Sequence, residues 1–503
     1  MTNQRKKLNR VSLPHSVFSA DWVRQAERSA AQQAGLSLYE LMERAGHAAF
    51  ELARTTWPDT RHWLILCGHG NNGGDGYVVA RLAAAAGLQV TLLAVEGERP
   101  LPDEAQTARQ AWLASGGQIA ASGSAWPENI DLIVDALLGI GLASAPRAPY
   151  DALIEAINRH HAPVIALDIP SGLDAQAGTT PGVAVKAKLT LCFVALKPGL
   201  LTGQARDCVG ELHHSSLGLN DWLHKQTPLL ERLDASQLSE WLKPRRPCSH
   251  KGEHGRLLVV GGDHGYAGAI RMAAEAALRS GAGMVRVLTH KQNISALLTA
   301  RPELMVQELT DSSLAQGESW ADVVVIGPGL GQGEWGKNAL GQLAHSDKLA
   351  LWDADALNML AINPQKRQNR VLTPHPGEAS RLLNCSVADI ESNRLLSARK
   401  LVQRYGGTVV LKGAGTVIAS EEGELSIADV GNAGMASGGM GDVLSGIIGA
   451  LLAQKFTLYP AACIGCVVHG AAADIVADEQ GTRGLLATDL LPVITRCVNP
   501  ELQ

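Results

Sequence analysis

The stretch Arg61–Val95, RHWLILCGHGNNGGDGYVVARLAAAAGLQVTLLAV, decides the fold class. Arg61–Gly68 is a short apolar run ending in glycine, and Gly76–Gly87 is a helical pattern with a glycine stop. Leu88–Val95 is the next apolar strand. Buried apolar strands separated by helices argue for a parallel sheet with helices on both faces.

Downstream, IDLIVDALLG, APVIALDIPSG and KLTLCFVAL repeat the pattern. It lapses around SSLGLNDWLHKQTPLLERLDASQLSEWLKPRRPCSHKGEHG, which carries Pro228, Pro244 and Pro247, mixed charge and no long strand. A second series starts at GRLLVVGG (Gly255–Gly262) and continues through GMVRVLTH, ADVVVIGPGLG, KLALWDADALN, VLTPHPGE and TVVLKGAGTVIAS. The expected organisation is two α/β domains, residues 1–226 and 227–503. A chain of 503 residues is also too long for one ordinary core.

Composition narrows the class. The chain is 46% apolar and 18% charged, as in soluble globular proteins. Its formal net charge of -5, without a long basic run, gives no basic face for nucleic acid. The start, MTNQRKKLNR, lacks the apolar stretch of a secretory signal. No uninterrupted apolar run approaches the ~18 residues of a membrane span, and AACIGCVVHGAAADIVA is broken by His469 and Asp474. Eight scattered cysteines read as a reducing, cytoplasmic setting. Cys463 and Cys466 lie three apart in an apolar helix pattern, which reads as a buried face rather than a redox pair. Small-residue helices leave room for a homo-oligomer.

Ligands in open α/β sheets sit beyond the carboxyl ends of the strands, and several glycine loops fall there. CGHGNNGGDG (Cys67–Gly76) joins strand to helix, where bare N–H groups and a helix start suit phosphate. Glycines alone read equally as a tight turn. Asn71, Asn72 and Asp75 add hard oxygens suited to a cation or a ribose. Asp135 and Asp168 close two further strands, and Ser171 follows the latter. A lone strand-end aspartate is more often a cap. Three oxygen-bearing clusters on neighbouring loops, without His or Cys, suit K⁺ or Mg²⁺.

In the second half, NAGMASGGMGDVLSG (Asn432–Gly446) places glycines and one carboxylate, Asp442, at a helix start. That is an anion hole with an acid at its rim, able to hold a phosphoryl group while the acid takes a proton. Lys412 and Gly413 close another strand, where a nucleotide phosphate could lie. His375 in TPHPGE reads first as a turn histidine bonded to backbone. Asp353 and Asp355 share WDADALN, and one of them is expected to cap the next helix.

The motifs NNGGDG, DALLGIG and DIPSG resemble the NAD(P)H-hydrate epimerase domain. GPGLG, DADALN, TPHPGE, VLKGAGT and NAGMASGGMGD resemble the ADP-dependent NAD(P)H-hydrate dehydratase domain. Together they are similar to the bifunctional repair family over nearly the whole chain. The resemblance implies a Rossmann-like three-layer α/β/α sandwich followed by a ribokinase-like α/β domain. It implies two substrates, NADHX and NADPHX, the hydrates of the reduced nicotinamide nucleotides. Their R and S forms are interconverted by the first domain. The second dehydrates the S form, with ADP as phosphoryl donor and AMP and phosphate as products. K⁺ is implied for the first domain and Mg²⁺ with ADP for the second.

Carried over by position, the epimerase substrate contacts are Asn71, Asn72, Gly73, Gly74, Asp75 and Asp168, with Gly139, Ile140, Gly141, Leu142, Ala143, Ser144 and Ala145. Asn72, Asp135 and Ser171 match the potassium ligands. In the dehydratase half, Gly329, Gly331, His375 and Asp442 match substrate contacts. So does Ala269 or Ile270 in GGDHGYAGAI, and Ile270 would be larger than the pattern expects. The nucleotide loops comprise Lys412, Gly413, Ala414, Gly415 and Thr416, then Asn432, Ala433, Gly434, Met435, Ala436, Ser437, Gly438, Gly439, Met440 and Gly441. Asp442 and Asp168 are the candidate catalytic carboxylates. Two rival readings are a ribokinase-type small-molecule kinase fused to a nucleotide-binding domain, and a non-catalytic nucleotide sensor.

Overall fold

The structure is a computed structural model that describes residues 13–142 and 144–502. The chain divides into two compact units, one ending at Glu231 and the other beginning at Arg232. The division falls inside β9 (Leu230–Leu233), a short strand in the proline-interrupted stretch.

Unit 1 opens with β1 (Ser16–Val17). Its main sheet contains β2 (His62–Cys67), β3 (Gln89–Ala94), β4 (Ala120–Ala121), β5 (Leu132–Ala136), β6 (Val164–Leu167), β7 (Leu189–Phe193) and β8 (Glu211–Ser215). The strand order is β4-β3-β2-β5-β6-β7-β8, parallel throughout. Alternate side chains of β2 enter different cores, because successive residues of a strand point to opposite faces. Trp63 and Ile65 pack with Val78 and Val79, whereas Leu64 and Leu66 pack with Ile154 and Ile157. Both faces are thus covered, giving three layers. The chain reverses between β2 and β5, which opens a crevice at their carboxyl ends.

One boundary departs from the sequence reading. The helix after β2 is Asn71–Ala85, so NNGGDG forms its first turns rather than a loop before it. The glycines let this helix dock closely: a Cβ on Gly76 would meet Cys67 Sγ at 2.7 Å and Ala136 Cβ at 2.8 Å.

Unit 2 is built on β10 (Arg256–Val260), β11 (Met284–Thr289), β12 (Met305–Glu308), β13 (Val323–Ile326), β14 (Leu349–Trp352), β15 (Arg370–Leu372), β16 (Thr408–Leu411), β17 (Thr416–Ser420) and β18 (Leu425–Ala428). The order runs β12-β11-β10-β13-β14-β15-β16-β17-β18. The strands from β12 to β16 are parallel, and β16, β17 and β18 are antiparallel. TVVLKGAGTVIAS is therefore a hairpin, and the expected all-parallel sheet gains an antiparallel edge. A βαβ crossover needs many more residues than the Lys412–Gly415 turn provides.

Helix Met440–Ala453 is buried along nearly its whole length, between the sheet and helices Ala267–Arg279 and Leu458–Gln480. Leu458–Gln480 is long and apolar enough to cross a membrane, yet 78% of its apolar window is buried in the core of unit 2. Cys463 and Cys466 lie on that buried helix as free thiols.

Two candidate active sites

In unit 1 a cavity of about 810 Å³ opens at the carboxyl ends of β2, β5 and β6. Gly139, Ile140, Gly141, Leu142, Ser144 and Ala145 line it, as do Asn71, Asn72, Asp75 and Asp168. Ala143 lies outside the described residues. Gly73 and Gly74 lie behind this lining, in the first turns of the helix Asn71–Ala85. They pack against neighbouring chain segments, where a Cβ would come 2.1 Å from the Gly68 carbonyl and 2.6 Å from Met42 Sδ respectively.

Asn72, Asp135 and Ser171 converge at the cavity edge. Ser171 donates its hydroxyl to Asp135 Oδ1 at 2.6 Å and its N–H to Oδ2 at 2.9 Å. The amide of Asn72 donates to the Leu138 carbonyl at 3.1 Å, and that carbonyl also lies 3.3 Å from Ser171 Oγ. Asn72 Oδ1 is buried without a hydrogen-bond partner. Burial pushes the Asp135 carboxyl up to about 6 against its hydrogen bonds from Ser171 and Leu137. A buried carboxylate, an orphaned amide oxygen, a hydroxyl and a carbonyl form a hard-oxygen set that fits a monovalent or other hard cation.

Asp168 stands where β6 ends, at φ 63°. Its Oδ1 accepts from Lys197 Nζ at 2.5 Å and from the Phe193 N–H at 3.0 Å. Lys197 is 1% exposed and also donates to the Phe193 carbonyl at 2.8 Å. Burial opposes its charge, but Asp168 and Cys192 outweigh that and hold the ammonium above the usual lysine range. Glu27, Asp75 and Glu104 also line the cavity. Glu27, from helix Ala20–Gln33, is pushed up to about 7 by burial and by Asp168. Asp75 is raised well above the usual range by burial, Asp168 and Glu27.

In unit 2 the corresponding ends of β14 and β16 carry Asp353 and Lys412. Lys412 Nζ lies 2.9 Å from Asp353 Oδ1 and 3.8 Å from Glu378 Oε2. Ser445 donates to Asp353 Oδ2 at 2.8 Å. Gly441 makes the approach possible: a Cβ there would sit 3.2 Å from Lys412 Nζ. Asp442 occupies the first turn of Met440–Ala453, whose leading N–H groups have no partner within the helix. Burial and the Asp353 charge push its carboxyl up to about 7, with Lys412 opposing. Gly439 enters the helix at φ 91°, and Ser437 Oγ in the same loop is buried without a partner. Orphan donors, a helix start and a poised carboxyl make an anion site beside a proton acceptor.

Asn432 spends its side chain on the loop itself, accepting from the Gly434 N–H and donating to Asp474 Oδ1 at 2.9 Å. Lys412, Gly413, Ala414 and Gly415 form the β16–β17 turn, held by Arg394, which donates to the Lys412 carbonyl at 3.0 Å. His375 takes its plainer reading as a helix cap: Nδ1 accepts from the Gly377 N–H at 3.0 Å. Burial and Lys412 hold its imidazole below the usual range. Gly331 donates to Asp355 Oδ2 at 2.9 Å, and Gly329 approaches Ala269. The Ile270 side chain is fully buried against Gly261 and Gly262 in the core, while Ala269 lies beside Gly329. Neither Asp353 nor Asp355 caps the helix Asp355–Ile362 with its side chain, contrary to the expectation for one of them.

Sequence reasoning left Glu27, Lys197, Asp353 and Glu378 out of the site. Lys197 carried a readable signal, a lone cation closing an apolar run before proline. Glu27 carried none, since a polar residue on an amphipathic helix reads as a solvent face.

The family described as NAD(P)H-hydrate dehydratase matches residues 257–496, and YjeF-related protein N-terminus matches residues 38–199. The bifunctional NAD(P)H-hydrate repair enzyme of Escherichia coli is 65% identical over 502 residues, covering 100% of this chain and 98% of the relative. That of Vibrio cholerae is 45% identical, covering 97% of this chain and 99% of the relative. A ribokinase-like superfamily protein from Enterococcus faecalis is 30% identical with a TM-score of 0.51, covering 55% of this chain and 97% of that structure.

Proposed function

The chain belongs to the bifunctional NAD(P)H-hydrate repair enzymes, and from that premise we propose how its two sites divide the work. The cavity of unit 1 interconverts R- and S-NAD(P)HX. The β14–β16 end of unit 2 returns the S form to NAD(P)H, consuming ADP and releasing AMP and phosphate. The observation that carries this reading is Asp442 at a helix start beside the Lys412–Asp353 pair.

Hydroxide is a poor leaving group, so transfer of a phosphoryl group to the substrate hydroxyl makes elimination easy. The N–H groups at Met440–Asp442 hold the moving phosphoryl, and Asp442 accepts the hydroxyl proton. The β16–β17 turn and the Asn432–Gly441 loop flank the nucleotide. Mg²⁺ bound with ADP would neutralise phosphate charge there. In unit 1, Asn72, Asp135 and Ser171 would hold K⁺, fixing the loops that carry Leu138 and Asp168. Asp168, held by Lys197, contacts the reacting ring. Free cysteines throughout support a reducing, cytoplasmic setting.

The test is recovery of NADH absorbance from an R/S mixture of NADHX with ADP. Full recovery is expected. Recovery of the S fraction alone would remove the epimerase assignment, and no recovery would favour a ribokinase-type kinase.

A further inference from the structure

The unit 1 cavity brings together more carboxyls than substrate contact requires. Asp168 is taken up by a buried ammonium, Lys197 Nζ, which lies 2.5 Å from its Oδ1. Glu27 and Asp75 share that cavity, and neither has the ammonium as its own hydrogen-bond partner. They approach from different elements, Glu27 from Ala20–Gln33 and Asp75 from Asn71–Ala85. The substrate carbon bears a hydroxyl and a ring nitrogen, so it is a hemiaminal. Its configuration can invert if the carbon–nitrogen bond opens and recloses on the other face. Opening needs a base at the hydroxyl and an acid at the nitrogen together.

We propose that Glu27 and Asp75 are the acid–base pair of the epimerase, one ionised and one protonated, on either side of the hydrate's C6. This rests on the reading of the cavity as the epimerisation site. Glu27 takes the hydroxyl proton as the C6 oxygen becomes a carbonyl and the C6–N1 bond breaks. The bonding pair goes to N1, which takes a proton from Asp75. After rotation about the opened chain, N1 attacks the other face of the carbonyl carbon. Asp75 recovers its proton, and Glu27 returns one to the oxygen. One proton crosses in each direction, and no oxidant or other reactant is consumed.

The surroundings suit this pairing. Burial opposes ionisation of both groups, and the neighbouring Asp168 carboxylate acts in the same sense, bringing Glu27 to about 7. Carboxyls raised in this way can exchange protons at neutral pH, as an acid–base pair requires. The other titratable groups facing the cavity are Arg24 and Arg28 on the Glu27 helix, His69, Glu104, Arg147 and Tyr150, with Lys197 behind Asp168.

The full chain without ADP is given R-NADHX, and S-NADHX is followed by chromatography above the spontaneous rate. Glu27→Gln keeps shape but cannot shuttle a proton. Its kcat should fall by about 10²-fold or more, with KM within about threefold. The near-neutral limb of the wild-type pH–rate profile should disappear. Glu27→Asp keeps the carboxyl and should retain that limb at reduced rate. Wild-type turnover by Glu27→Gln would overturn the pairing while leaving the cavity assignment intact. Equal loss in Glu27→Asp and Glu27→Gln, with raised KM, would make Glu27 structural. Absence of interconversion by the wild type would overturn the cavity reading itself.

Discussion

Lys412 Nζ lies 2.9 Å from Asp353 Oδ1, although β15 separates the strands that carry them. Asp353 is 1% exposed, so the pair lies in the interior of unit 2. Asp353 and Glu378 in turn hold the buried Lys412 ammonium above the usual range against that same burial.

Lys412→Met leaves Asp353 with a single hydroxyl donor in the core. Breaking one partner of a buried pair costs about 3–5 kcal/mol. The urea midpoint of unit 2 should drop accordingly, while the unit 1 transition stays in place. Lys412→Met/Asp353→Asn should recover part of the loss. An unchanged midpoint in the single variant would show that the pair contributes little.

Asp442→Asn keeps the size and hydrogen bonding of the side chain but removes proton acceptance. Dehydration of S-NADHX should fall by about 10²–10⁴, while ADP binding measured by calorimetry persists. In the wild type the acceptor must be ionised, so the rate should climb with pH and level off above about 7. Stability runs the opposite way. A carboxyl whose folded value is raised stabilises fully below its unfolded value and loses that contribution as pH rises through about 7.

Potassium should stabilise unit 1 by mass action if Asn72, Asp135 and Ser171 bind it. Melting in potassium chloride, compared with tetramethylammonium chloride, should show a higher transition. Asp135→Ala should erase the difference and slow epimerisation. A difference that survives in Asp135→Ala would assign the cation elsewhere.

Lys197→Met removes the ammonium that fixes Asp168. Epimerisation should fall by roughly 10²-fold or more, whereas ADP-dependent NADH formation from pure S-NADHX should continue at the wild-type rate. Loss of both activities would show that the halves are not independent.

Much of the fold was legible along the chain because helices and strands have short periods. The alternation in Arg61–Val95 reports burial residue by residue, and glycine marks where each element stops. The cluster of Asp135 and Ser171 was legible too, since strand ends in a parallel sheet meet on one edge. Motif order carried the family, and with it the glycine loops around Asp442.

Other features belonged to the tertiary structure. NNGGDG looked like a loop until close packing against Cys67 and Ala136 drew it into a helix. The turn that makes β16 and β17 antiparallel is too short for a crossover, yet its residues read as one strand ending. The choice of Asp353 over Asp355 as the partner of Lys412 depends on strand order and register, which local sequence does not encode. Glu27 reaches the cavity only because the fold brings its helix beside residues far along the chain, Leu138 and Asp168 among them. Local pattern determines which residues are buried; three-dimensional packing determines which charges meet there, and those meetings shift the proton affinities of the groups involved.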